Sequence, residues 1–73
     1  MKIEIKRGGI KIEYDKYTVS GYGEVCIDDK LYIGKSTLKK IETDEKLSNE
    51  EIRKVIQDVK QSEYADTVEF DDY

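Results

Sequence analysis

Residues 47–64 read LSNEEIRKVIQDVKQSEY, and this is the stretch in which apolar residues recur with the period of an α-helix. Ile52, Val55, Ile56 and Val59 stand at i, i+3, i+4 and i+7, which gathers them into one stripe. Ser48 and Glu51 precede the stripe as a Ser-x-x-Glu pair. The serine hydroxyl can accept from a first-turn N–H that has no helical acceptor, and the glutamate can reach back to the cap N–H. Leu47 sits at staple spacing from Ile52 and would set the angle at which the chain enters. Acids at Glu50 and Glu51 with Lys60 near the far end suit the helix dipole, and Glu50 with Lys54 makes an i, i+4 pair. Such a pair adds only roughly 0.2–0.5 kcal/mol. Because β-branched residues fill the stripe, intrinsic propensity is moderate and the helix needs an apolar surface to lie on.

Upstream of residue 47 the period changes from helical to alternating. Ile3 and Ile5 alternate with Lys2, Glu4 and Lys6; Arg7-Gly8-Gly9 offers a turn; Ile10, Ile12 and Tyr14 alternate with Lys11 and Glu13. After Asp15-Lys16, Tyr17 and Val19 read as a third strand, which Gly21-Tyr22-Gly23 interrupts. Val25 and Ile27, then Leu31 and Ile33 across an Asp29-Lys30 turn, read as a second hairpin. Residues 35–42 fit either an irregular strand or one helical turn; Gly34 and Thr37 suit a bend in a sheet, and strand is the reading adopted. Residues 43–46 form a polar loop, and Val68 and Phe70 alternate with Thr67, Glu69 and Asp71 as a last strand. The result is a single α+β domain spanning 1–73, element order βββββαβ, an antiparallel sheet with one face covered by the helix. The expected core is Ile3, Ile5, Ile10, Ile12, Val19, Val25, Ile27, Leu31, Ile33, Leu38, Ile52, Val55, Ile56, Val59, Val68 and Phe70.

A chain of 73 residues buries only about 60% of the surface its unfolded form exposes, so its margin is thin. Cys26 is the single cysteine, which excludes an internal disulfide and a Cys/His zinc set. The opening MKIEIKRGG lacks the apolar region of a signal peptide, and no run is long and apolar enough to span a membrane; cytoplasmic residence is the expectation. The net charge of −4 is unevenly placed: residues 1–62 carry all 13 bases against 12 acids, and residues 63–73 carry five acids and no base.

The sequence contains no histidine, which removes the commonest general base, every histidine-activated nucleophile and the commonest metal ligand. Cys26 alternates with Glu24 and Asp28, whose charges would oppose a reactive thiolate. The adjacent acid pairs Asp28-Asp29, Asp44-Glu45, Glu50-Glu51 and Asp71-Asp72 point apart on a strand and match no calcium-loop pattern. Gly21-Tyr22-Gly23 lacks the third glycine, lysine and following helix of a phosphate loop. No cofactor is implied, and a non-enzymatic protein is the expectation. The basic turn at Lys6-Arg7, with Lys11, Lys35, Lys39 and Lys40, makes a mixed patch. Glu4 and Glu13 interleave with it, which argues against direct nucleic-acid binding.

Tyrosine is the more suggestive residue: Tyr14, Tyr17, Tyr22, Tyr32, Tyr64 and Tyr73 stand against one Phe and no Trp. Its large ring and water-tolerant hydroxyl enrich it at interfaces. Tyr14 and Tyr17 suit the edge of the core, whereas Tyr22 lies between glycines and Tyr32 opposes the apolar face. With the acids of the C-terminal end they point to a protein partner of basic surface, bound through Tyr22, Tyr32, Glu69, Asp71 and Asp72. Two other readings use the same residues differently. In one, a phage or mobile-element protein uses its acidic end to mimic nucleic acid and block a defence enzyme; in the other, an exposed edge strand pairs with its mate in a homodimer.

The layout of SGYGEVCIDDKLYIGKSTLKKIE followed by LSNEEIRKVIQDVK resembles the immunity protein 74 family, small predicted immunity proteins of bacterial polymorphic toxin systems. The similar features are a strand reaching Ser20 and Gly21, a glutamate-led strand at Glu24, an aromatic-bearing strand at Tyr32–Gly34 leading into Lys35-Ser36, the pair Ile41-Glu42 and the Ser-capped helix. They cover about two thirds of the chain, which has no tryptophan ahead of Glu42. No residue-level role carries over. The resemblance implies a non-catalytic protein that binds and neutralises a toxin domain made by the same cell.

Overall fold

A computed structural model describes residues 1–71 and gives a mixed sheet of seven strands with one helix packed on it. The strands are β1 (Lys2–Lys6), β2 (Gly9–Glu13), β3 (Thr18–Val25), β4 (Leu31–Gly34), β5 (Lys39–Lys40), β6 (Glu45–Lys46) and β7 (Val68–Asp71); helix α1 spans Asn49–Lys60 between β6 and β7. The main path is β1-β2-β3-β4-β7, with β5 pairing β3 and β6 pairing β5. The fold is α+β, as the alternation and the helix period imply. One strand pair departs from the antiparallel expectation: β7 runs parallel to β4, Leu31 opposite Val68 and Ile33 opposite Phe70. A parallel neighbour needs a crossover, and the chain between Gly34 and Val68 supplies it through α1.

β3 is the hub. At eight residues it is too long for one partner, so its two edges are shared out. One edge takes β2 from Thr18 to Tyr22, after which the Gly23 N–H donates to Gly8 O at 2.9 Å. The other edge is assembled from four sources. Glu42 Oε1 accepts from the Thr18 N–H at 2.9 Å, Lys39 lies opposite Ser20, and Tyr32 lies opposite Glu24. Between them, at Tyr22, there is no strand, and Thr37 stands in: its Oγ1 accepts from the Tyr22 N–H at 2.9 Å and directs its own hydrogen towards Gly34 O at 2.7 Å or Tyr22 O at 3.1 Å. Gly21-Tyr22-Gly23 is thus inside a continuous strand rather than a break in one.

The glycines are there for space. A Cβ on Gly21 would lie 2.7 Å from Leu38 Cδ2 and 2.9 Å from Ile33 Cγ2, so two core side chains rest on its bare backbone. A Cβ on Gly23 would lie 1.6 Å from Tyr32 O, where β4 crosses closest. Residues 35–42 correct the strand expectation: Lys35–Thr37 is one 3-10 turn, followed by the two-residue β5. The turn is what carries Thr37 to the gap beside Tyr22. The loop expected at 43–46 includes β6, which pairs with β5.

The helix forms as its sequence prescribes. Ser48 Oγ accepts from the Glu51 N–H at 3.2 Å while Glu51 Oε1 accepts from the Ser48 N–H at 3.0 Å, a complete capping box. Val55 and Val59 are buried with Ile10, Ile12, Val19, Leu31, Ile33, Leu38, Leu47 and Val68; Ile3, Ile5, Ile52 and Phe70 pack against that cluster, and Ile56 is half-buried. Tyr14 and Tyr17 close its edge, as expected. Tyr14 OH donates to Asp58 Oδ2 at 2.7 Å, Lys54 Nζ lies 4.2 Å from the Tyr14 ring centroid, and Tyr14 packs on Tyr17 at 5.1 Å. Burial, then the Asp58 carboxylate, pushes the Tyr14 hydroxyl far above its ordinary pKa. Lys40 completes this flank: its Nζ lies 5.0 Å from the Tyr17 ring centroid and 2.8 Å from Glu51 Oε2.

Val25 and Ile27 correct the expected core: Val25 is 56% exposed and Ile27 fully so. β2 and its turn reach only as far as Gly23, so among the described residues Val25 has no neighbouring strand on that side. Ile27 falls in the tight turn 26–30, closed by Cys26 N–H to Lys30 O at 3.0 Å and Asp29 N–H to Cys26 O at 2.9 Å, with Asp29 at φ 63°. Alternation carried past the end of a strand predicts burial that the turn cancels.

Gly23→Ala has a backbone oxygen in its way and should destabilise the domain by about 3 kcal/mol, the upper end of overpacking costs; Gly21→Ala, opposed by side chains that can shift, should cost about 1–2 kcal/mol. Urea melts with an unchanged slope would check both. Glu51, held at about 2 rather than its ordinary 4.5 by Lys40 and then by the Ser48 N–H, contributes stability that is complete above about 4.5 and disappears as pH falls towards 2. Glu51→Gln should therefore flatten the pH dependence of stability across that window.

Candidate functional site

In register, residues directly opposite one another share a face of the sheet. The rows that face away from α1 are Lys2–Glu13–Thr18, Glu4–Lys11–Ser20–Lys39, Lys6–Gly9–Tyr22, and Glu24–Tyr32–Glu69, with Gly34–Asp71 beyond them. Beyond the mixed Lys2–Glu13–Thr18 end, this outer face has two regions of opposite sign. Towards β1 and β5 it presents Lys6, Arg7, Lys11 and Lys39; towards β7 it presents Glu24, Glu69 and Asp71 beside Tyr32.

The acidic half continues into the β3–β4 turn. Tyr32 OH donates to Asp28 Oδ2 at 2.8 Å, and Asp28 Oδ1 accepts from the Lys30 N–H at 3.1 Å. The hydrogen bond from Tyr32, with the Lys30 N–H next, holds Asp28 below its ordinary range; the same bond pushes Tyr32 up to about 12. Tyr32 is thus a neutral donor pinned against a carboxylate. Lys30 Nζ stands 3.9 Å from Glu69, the long limit of an ion pair, and Glu24 has no ion-pair partner among the described residues. Val25, Cys26 and Ile27 are exposed on the same hairpin.

The basic half is concave. A hollow of about 430 Å³ has Lys6, Arg7, Lys11, Tyr22, Lys39 and Asp44 in its lining, together with Ile10, Ile41 and the short residues Gly9, Ser20 and Gly21. Lys39 Nζ meets Asp44 Oδ1 at 2.7 Å, which raises the lysine and lowers the aspartate. Of the acids expected to interleave, Glu4 lies opposite Lys11 but turns to Lys2 at 3.3 Å, and Glu13 lies opposite Lys2 and Thr18, outside the hollow's lining.

Of the residues singled out from the sequence, Tyr32, Glu69 and Asp71 lie on the acidic half, as paired β4–β7 positions. Tyr22, 59% exposed, is not with them; it walls the basic hollow. Asp72 lies outside the described residues. The C-terminal acids are not one patch either, since Glu63 lines a different hollow with Met1, Lys2 and Ile3. The mixed basic patch also divides: Lys6, Arg7, Lys11 and Lys39 converge, Lys40 faces the helix, and Lys35 lines a third hollow with Ile52 and Arg53. The exposed hairpin tip was missed because its apolar residues alternate like core residues; the run Cys-x-Asp-Asp-Lys was the turn signal that should have ended the strand earlier.

Among the described residues no group of three or more His, Cys, Asp or Glu side chains could hold a metal ion, and no helix is long and apolar enough to cross a membrane. No protein-family model, curated protein or solved structure matches the chain.

Asp28→Ala should bring the Tyr32 pKa down from about 12 towards 10, and Tyr32→Phe should raise Asp28 towards 3.8. An ultraviolet titration of the phenol and an NMR titration of the carboxylate would check the pair.

Proposed function

We propose that this chain is a non-catalytic protein-binding module whose contact surface is the β3–β4 hairpin and the acidic half of the outer sheet face. The observation that carries the reading is the fully exposed Ile27, with the exposed Val25, on a hairpin whose turn holds Tyr32 against Asp28 beside Glu24 and Glu69. Exposed aliphatic side chains bordered by carboxylates and a tyrosine have the composition of an interface: an apolar centre that loses water on contact and a charged margin that selects and steers the partner. The complementary partner is a basic protein surface. The resemblance to immunity proteins supports a toxin domain of that charge, neutralised by stoichiometric occupation.

The test is comparative capture from extracts of the producing cells. The native chain should retain a basic protein that elutes as salt rises; Ile27→Ser and the double variant Glu24→Lys/Glu69→Lys should lose it; Lys6→Glu, on the other half of the face, should keep it. Recovery of nothing, or only of further copies of the chain, would count against the reading. Self-association is the second reading, favoured by the outer edges of β1 and β7, which among the described residues have no pairing strand; light scattering that rises to a dimer mass with concentration would select it.

A further inference from the structure

We propose that the basic hollow on the opposite half of the outer face binds a nucleotide unit, its phosphate among Lys6, Arg7 and Lys11 and its base on the ring of Tyr22. This is independent of the acidic half and of the hairpin tip.

The cations come from separate pieces of backbone and converge by register. Lys6 and Arg7 stand where β1 enters its turn, Gly8 taking φ 79° so that the turn is tight. Lys11 is held opposite Ser20, and Lys39 is brought to the other side of Ser20 by β5. Asp44 compensates Lys39 through their 2.7 Å contact. Lys11 feels Glu42 only as a minor influence on that carboxylate, and Lys6 and Arg7 have no ion-pair partner among the described residues. Three cations therefore face one hollow with no carboxylate bonded to them, a deficit that a phosphate would fill.

Tyr22 distinguishes a nucleotide from a bare anion. Its backbone is fixed on both sides, opposite Gly9 on β2 and by Thr37 Oγ1 on the other edge. Its ring lies across Gly9, where a Cβ would come within 3.6 Å of Cδ1, yet the residue stays 59% exposed. An aromatic ring that rests on a glycine and keeps surface open to water is a stacking platform, and aromatic platforms on sheet faces flanked by Lys and Arg are how single-stranded nucleic acids are held. At about 430 Å³ the hollow is of a size that takes one nucleotide rather than a duplex.

The experiment uses the full chain at low salt with three probes: a fluorescent single-stranded oligonucleotide of mixed sequence followed by anisotropy, a nucleoside monophosphate followed by NMR, and inorganic phosphate. Saturable binding should appear with the first two, weakening as salt rises with a log–log slope of roughly −0.7 for the one phosphate held. Tyr22→Ala should weaken it by about tenfold or more while Tyr22→Phe retains it; Arg7→Glu/Lys11→Glu should abolish it with the domain still folded by circular dichroism. Tighter binding of the oligonucleotide would identify a strand as the source of the nucleotide, equal binding a free one, and both support the site. The proposal fails if neither probe saturates, if inorganic phosphate binds as tightly as the monophosphate, or if Tyr22→Ala changes nothing. It also fails if Arg7→Glu/Lys11→Glu dissolves a dimer seen by light scattering and the nucleotides do not bind, because the hollow would then hold the acidic half of a second copy.

Discussion

Every amide and carbonyl along β3 needs a partner, and that requirement organises the molecule. An unpaired backbone group inside a small domain costs about as much as the hydrogen bond it lacks, so an eight-residue strand recruits whatever can reach it. β2 takes one edge; β5, Glu42, Thr37 and β4 divide the other. The 3-10 turn, the two-residue strands and the polar loop before α1 look like irregularities in isolation. Against β3 they are the shortest route by which the chain completes that second edge and still arrives at Leu47, whose N–H donates to Leu38 O at 3.3 Å, ready to enter the helix.

The helix is fastened to this frame by the Tyr14–Asp58 hydrogen bond and in two further ways. Apolar burial of Val55 and Val59 holds it from below, and Glu51 holds its first turn from the side, one carboxylate oxygen on its own cap and the other on Lys40 of β5. Surface ion pairs as a class are worth little, because ordering two long side chains offsets much of the attraction. Here the glutamate is already ordered by the capping box and the lysine by Tyr17, so less side-chain freedom is lost when they meet. The Tyr14–Tyr17–Lys40–Glu51 chain links the β2–β3 connection, β5 and α1 along one flank.

The helix, its cap and most of the core were legible in the sequence because each depends on spacing within one segment: Ser48 to Glu51, Ile52 to Val59, Ile10 to Ile12. What was not legible depends on pairing between segments. Nothing local says that Thr37 will plug a gap beside Tyr22, that β7 will run parallel to β4, or that β2 and its turn end opposite Gly23 and leave Val25 uncovered. The site suffered most from this. Tyr22 and Tyr32 read alike in the sequence, as outward tyrosines near acids, yet cross-strand register sends one into a row with Lys6 and the other into a row with Glu24 and Glu69. Acids counted along the C-terminal stretch likewise separate once the chain turns after α1.

The same register makes the two-signed face hard to lose. Side chains alternate with a period of two, so a one-residue slip of β3 against β2 would turn Tyr22 and Ser20 inward and force Val19 into water, while the close approaches at Gly21, to Leu38 and Ile33, and at Gly23, to the Tyr32 backbone, disfavour a side chain at those heights. The core thus sets the positions of the charges although none of them lies in it. The hairpin tip is the exception, since Val25 and Ile27 contribute nothing to the core and add exposed apolar surface that a marginal domain gains nothing by keeping. Asp28 and Asp29 follow directly in the turn, the placement that keeps such a tip from pairing indiscriminately, and the strand ends there. A tip that is apolar, guarded by carboxylates and unnecessary to the fold is the feature on which the proposed binding surface rests.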